Sequence, residues 1–248
     1  GAPNPYKKWT TKQTPPPGKS FDDGMAVVFS PRANLDALKW YGTLADSAQK
    51  ALFMTFAFGM NQVFKTVYSK KDDVLRVGLM EKEWNGKNKE AQIEAIRKIQ
   101  ALPNVVIAIG NRIPLNGFDR WLGEIDRITN HVNVHWIHLK FMLIDPLSDS
   151  PIVVTGSANF STPSTDTNDE NMLVIKDNKR VADIYFGEFM RIFDHHYARY
   201  IVRLLTDEGR SDPEAGYLKE KTADWLTSHF NPASYKSKRR KYFASPKP

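Results

Sequence analysis

Nearly continuous apolar runs of strand length, separated by stretches with helical apolar spacing, limit this chain to a layered α/β fold. Residues 51–58, 74–80 and 104–110 are such runs. A strand with almost no polar residue on either face has to be covered on both faces, and helices are the usual cover. Segment 34–49 precedes the first run, 61–70 and 90–102 lie between the runs, and the apolar residues of all three recur at helical spacing. A shorter strand is expected over 25–29, ended by Ser30-Pro31. Further strands are expected over 132–145, 152–155 and 172–175, followed by a long aromatic-rich helix over 179–205. Short polar turns join the strands of 132–175, so that part of the sheet should be antiparallel. The expectation is one α/β domain over 25–205, with a mixed β-sheet flanked by helices on both faces. Residues 1–24 are polar, contain Pro15, Pro16 and Pro17, and read as a linker or arm. Residues 206–248 read as a polar extension ending in Lys236, Lys238, Arg239, Arg240 and Lys241, with Tyr235, Tyr242 and Phe243 interleaved. No internal repeat is visible.

The residues that carry chemistry lie within a short stretch. In His138-Leu139-Lys140-Phe141-Met142-Leu143-Ile144-Asp145, strand alternation puts His138 and Lys140 on one face and Leu139, Phe141 and Leu143 on the other. A histidine and a lysine side by side at the end of an apolar strand are costly unless they line a polar site. Asp145, at an odd offset, cannot share their face and is better placed to brace structure. Gly156-Ser157-Ala158-Asn159 follows the next strand, with Gly156 free to turn or approach closely and Ser157 and Asn159 on one side. Glu170 stands directly before the strand over 172–175. A histidine, a lysine, a serine, an asparagine and a carboxylate on neighbouring strand ends suit attack on a phosphodiester. A neutral imidazole can be the nucleophile, a carboxylate can fix its tautomer, and lysine and asparagine can neutralise the phosphoryl oxygens. Lysine can supply that charge without a metal. The chain has no cysteine, which excludes thiolate–zinc sites and disulfides. His131, His135 and His138 do not form a metal cluster on one strand, because 138 falls on the opposite face from the other two. Arg112 and Arg120, after the run at 104–110, are candidate phosphate contacts.

The HxKxxxxD pattern at 138–145, followed by GSxN at 156–159, resembles the signature of the phospholipase D superfamily. The resemblance extends over about 25–205. The Phe29-Ser30-Pro31-Arg32 start and the aromatic helix ending near His195, His196 and Arg199 resemble the C-terminal half of its bacterial two-half members. Ten residues separate Asp145 from Gly156, somewhat more than is usual in the family, which reads as a lengthened hairpin turn. The resemblance implies a hydrolase that works through a phosphohistidine intermediate, with no metal and no cofactor. It implies that His138 is the nucleophile or its general-acid counterpart. It further implies that Lys140 and Asn159 bind phosphate oxygens, Ser157 hydrogen-bonds within the site, Glu170 orients His138 and Asp145 is structural.

The same resemblance implies two such motifs per active site, and this chain has one. The first histidine in the chain is His131, so residues 1–130 hold no second His-x-Lys. The second half must come from a homodimer or from an N-terminal half outside this sequence, and the proline-rich start favours the latter. The formal charge of +7 and pI near 9.4 favour an anionic partner. With the basic, aromatic tail they put nucleic acid first and a phospholipid headgroup second. A binding module with a vestigial site is the third alternative.

Overall fold

The computed structural model describes residues 4–13, 24–83, 87–110, 137–207 and 220–244. The strands are β1 (Met25–Ser30), β2 (Ala51–Phe56), β3 (Leu75–Met80), β4 (Val105–Ile109), β5 (Phe141–Ile144), β6 (Ile152–Gly156) and β7 (Glu170–Lys176). They form one sheet in the order β1-β7-β6-β5-β2-β3-β4. The apolar runs β2, β3 and β4 pair in parallel, while β5, β6, β7 and β1 are antiparallel to their neighbours. This is the mixed α/β sheet expected from the sequence.

The described helices are α1 (Asn4–Gln13), α2 (Asp36–Asp46), α3 (Gln62–Tyr68), α4 (Lys89–Gln100), α5 (Thr162–Asp166), α6 (Lys179–Asp207), α7 (Thr222–Phe230) and α8 (Tyr235–Ala244). Helices α2, α3 and α4 cover one face, where Leu38, Tyr41, Phe64 and Ile96 meet Leu52, Met54, Ile107 and Met142. Helix α6 covers the other, where Ala182, Phe189 and Phe193 meet Phe53, Val106, Leu143 and Val153. Strand β2 lies between the two layers and is buried along its whole length. Phe53 packs its ring edge-on against Phe186 and Phe189, with centroids 4.9 and 5.3 Å away.

Three features differ from the sequence reading. First, residues 4–13 within the expected arm form a helix, and α1 lies against β1. Second, the basic segment at 235–244 is a helix whose two tyrosines pack against the core, while Phe243 stays partly exposed. Tyr242 reaches Phe53 at 6.0 Å, and Tyr197 donates a hydrogen bond to the Tyr235 hydroxyl at 2.9 Å. Its cations are used within the chain: Lys238 pairs with Asp73, Arg239 with Asp194, and Arg240 donates to the His229 carbonyl over the Phe230 ring. Third, among the described residues of the strand expected over 132–145, pairing is confined to Phe141–Ile144. Residues 137–140 run alongside without entering the ladder, and 132–136 lie outside the described residues.

Asp145 closes the sheet at the point where β5 ends. Its Oδ1 accepts from the backbone N–H groups of Lys50 and Ala51 at 2.7 Å each, and its Oδ2 from Gln49 at 2.8 Å. Its own N–H donates to the Ala51 carbonyl. Asp145 is 9% exposed, so its carboxylate has little access to water as a substitute for these donors. Charge-assisted bonds of this kind contribute more than neutral ones. Asp145→Ala is expected to lower unfolding stability by about 3 kcal/mol or more, read by urea denaturation. Lys179→Ala, which removes an exposed pair with Asp149, should change it by less than about 0.5 kcal/mol.

Candidate active site

Strands β5 and β7 run in the same direction, with β6 antiparallel between them. The start of β5, the end of β6 and the start of β7 therefore meet at one end of the sheet. That topology brings together groups up to 32 residues apart: His138 and Lys140 before β5, Ser157 and Asn159 after β6, and Glu170 opening β7. All five line one open cleft of about 860 Å³.

Gly156 makes the junction possible. A Cβ there would lie 2.2 Å from the Asn171 carbonyl oxygen and 2.8 Å from the Met172 Cα, so only glycine fits between β6 and β7. Ser157 continues the ladder beyond it. Its N–H donates to the Asn171 carbonyl at 2.9 Å, and its hydroxyl accepts from the Asn171 N–H at 3.1 Å. His138 is exposed to the cleft, and Lys140 Nζ folds back to donate to the His138 carbonyl at 2.6 Å. Asn159 Oδ1 is buried without a hydrogen-bond partner. Glu170 Oε1 accepts from Asn168 at 3.3 Å. Among the described residues no hydrogen bond joins Glu170 to His138, although both line the cleft. Partial burial holds the Lys140 ammonium below the usual lysine range, and the Glu170 carboxylate opposes that shift.

Helix α6 supplies one wall that the sequence reading did not assign. Ile184, Tyr185 and Glu188 face the cleft. Tyr185 donates to Thr155 Oγ1 at 3.2 Å and sets its ring edge against Phe141. Glu188 is bound through both oxygens by Arg191 at 2.8 Å, which holds its carboxyl pKa below the usual glutamate range. The spacing 184, 185, 188 is one helix face, but nothing in the sequence says which strand end that face overlooks. His195 and His196 sit farther along α6 and do not line the cleft. Arg112, Arg120, His131 and His135 lie outside the described residues. No group of three or more histidine or acidic residues suited to hold a metal ion is present among the described residues.

The family model described as cardiolipin synthase, PLD-like domain, matches residues 43–196, more than half of the chain. The chain belongs to the phospholipase D superfamily. Its members are generally phosphodiesterases or phosphotransferases. A search of curated protein sequences finds no match. Among solved structures, the chain is similar to Nuc from Salmonella typhimurium, a phospholipase D family member. Identity is 18% over 69% of this chain and 94% of that one, with a TM-score of 0.49. It is also similar to NucT from Helicobacter pylori, at 18% identity over 69% and 97% of the two chains and a TM-score of 0.46. Phosphatidylserine synthase from Haemophilus influenzae matches at 13% identity, 69% and 39% coverage and a TM-score of 0.47.

The opposing influences on Lys140 in this phospholipase D-like site give a test that needs no substrate. NMR titration of its ζ-amino group should show a midpoint below that of ordinary lysine. In Glu170→Gln the midpoint should fall further, because the carboxylate that favours the charged form is gone. An unchanged or raised midpoint in that variant would contradict the electrostatic coupling described here.

Proposed function

We propose that this chain provides one half of a metal-independent phosphodiesterase that acts through a phosphohistidine, with nucleic acid as substrate. The observation that carries the reading is a single cleft lined by His138, Lys140, Ser157, Asn159 and Glu170. An anionic phosphodiester entering it would meet the Lys140 ammonium and the Asn159 amide beside an exposed imidazole. Binding the anion also offsets the desolvation that weakens the charge on Lys140. The reaction has two displacements. One imidazole attacks phosphorus, and the leaving oxygen takes a proton from a second acid. Water then cleaves the phosphorus–nitrogen bond, with that second group as base. His138 is the one histidine that lines the described cleft, and it supplies one of these two groups. The other comes from a second half, either an N-terminal half of a longer protein or a second copy.

The +7 formal charge supports nucleic acid as the substrate. The basic helix α8 adds less than its composition suggests, because Lys238, Arg239 and Arg240 are already engaged within the chain. A phospholipid is the second reading. It is favoured by Ile184, a cleft-lining isoleucine that is 62% exposed.

With the second half in place, His138→Ala should reduce DNA or RNA cleavage by about 10³-fold or more. Excess EDTA should leave the wild-type rate unchanged. The rate at limiting substrate should fall steeply as salt rises. Acid-quenched mass spectrometry should find a phosphoryl adduct on a histidine. Headgroup release from vesicles without nucleic-acid cleavage would replace the first substrate by the second. Absence of turnover on both would overturn the catalytic reading.

A further inference from the structure

The segment carrying His138 is held by side chains rather than by the sheet. The last ladder pair between β2 and β5 is Met54 with Met142. One step further, Phe141 stands where Thr55 would pair with it, but the threonine hydroxyl takes over from the backbone. Thr55 Oγ1 accepts from the Phe141 N–H at 3.0 Å and donates to the Phe141 carbonyl at 3.3 Å. Strand β2 meanwhile turns its last carbonyl to the other neighbour, since Phe56 O accepts from the N–H of Glu81 at the end of β3. The chain before Phe141 is thus released from β2 and passes toward β3. There the Glu81 carboxylate receives it: Oε2 accepts from the Ile137 N–H at 2.7 Å.

Both partners in that bond are interior. Glu81 is 5% exposed and Ile137 is completely buried. A buried carboxylate persists only where donors repay its lost hydration, and a buried N–H left without an acceptor carries its own penalty. The bond fixes the main chain one residue before His138, and the Thr55 bonds fix it three residues after. Between the two anchors, His138-Leu139-Lys140 bridges the cleft end of the sheet with its main chain held at both ends. Glu81 does not line the cleft and cannot touch a substrate there.

We infer that Glu81 is a positioning residue for His138, acting through the Ile137 amide. The effect on turnover rests on the proposed role of His138, whereas the anchor itself does not. Glutamine at 81 keeps an acceptor for the Ile137 N–H without the charge, and leucine keeps bulk without the acceptor.

The test compares wild type, Glu81→Gln and Glu81→Leu in two measurements: amide hydrogen exchange over 137–141, and hydrolysis of bis(p-nitrophenyl) phosphate by the assembled enzyme. Glu81→Leu should raise exchange at Ile137 by about tenfold or more. It should also lower kcat by about tenfold or more with KM within about twofold, because orientation rather than binding is lost. Glu81→Gln should stay within about threefold of wild type in both measurements. Wild-type exchange and kcat in the leucine variant would overturn the inference, as would a glutamine variant impaired as much as leucine. If the leucine variant does not fold, the glutamine variant decides: retained protection at Ile137 supports the anchor and lost protection overturns it. A wild-type enzyme that turns over no phosphodiester would count against His138 as the reacting group, and exchange at Ile137 would then decide the anchor alone.

Discussion

The bonds from Asp145 to the backbone of Gln49, Lys50 and Ala51 are the joint on which the rest of the structure depends. They tie the end of β5 to the start of β2, the strand with helical layers on both sides. A slip of one residue in that pairing would turn Phe141 and Leu143 away from α6 and send Met142 and Ile144 into the wrong layer. The carboxylate accepts from three successive donors, so one position satisfies it. With that end fixed, the start of β5 is fixed too, and His138 is delivered to the opposite end of the sheet. The aspartate of the motif thus sets the histidine's place across the length of a strand without meeting it.

Much of the fold was readable because its central strands are apolar on both faces. For β2, β3 and β4 the structural limits fall within two residues of those read from apolar runs. The five cleft residues were readable because they occur in a short meander with its own pattern. At 137–140 the expected strand is not formed, and the cause is clear: apolar alternation continues upstream of Phe141, but the pairing of β5 with β2 ends at Met142. Glu81 gave no signal, since one acid after a buried strand reads as the first residue of a solvated turn. The α8 segment was misread in the other direction. Its charge density marked it as a tail, but acceptors at Asp73 and Asp194, far away in sequence, make it part of the second layer.

The site has two classes of member. Lys140, Asn159 and the exposed imidazole of His138 line the cleft. Thr55, Gly156 and Tyr185 instead control where those groups stand, through a hydroxyl in place of a backbone pair, an absent Cβ and a bond to the neighbouring strand. Glu170 belongs partly to each class, because its charge reaches Lys140 while its bonded neighbour is Asn168. Among the described residues these polar groups are collected by strand direction, and of their side chains only Lys140 bonds another of them, at the His138 carbonyl.

That arrangement has a consequence for the order of assembly. Strands β5, β6 and β7 follow one another as hairpins, so their pairing closes only short loops. The Asp145 joint to β2 closes a loop of about 95 residues, judged from the separation of its partners. Contacts of short range form quickly, and those of long range wait for the chain to find itself. A growing or refolding chain can therefore gather Lys140, Ser157 and Glu170 at one end of a free meander well before that meander is seated. The cleft residues can thus share one end of the meander before the long-range joint fixes where that end stands.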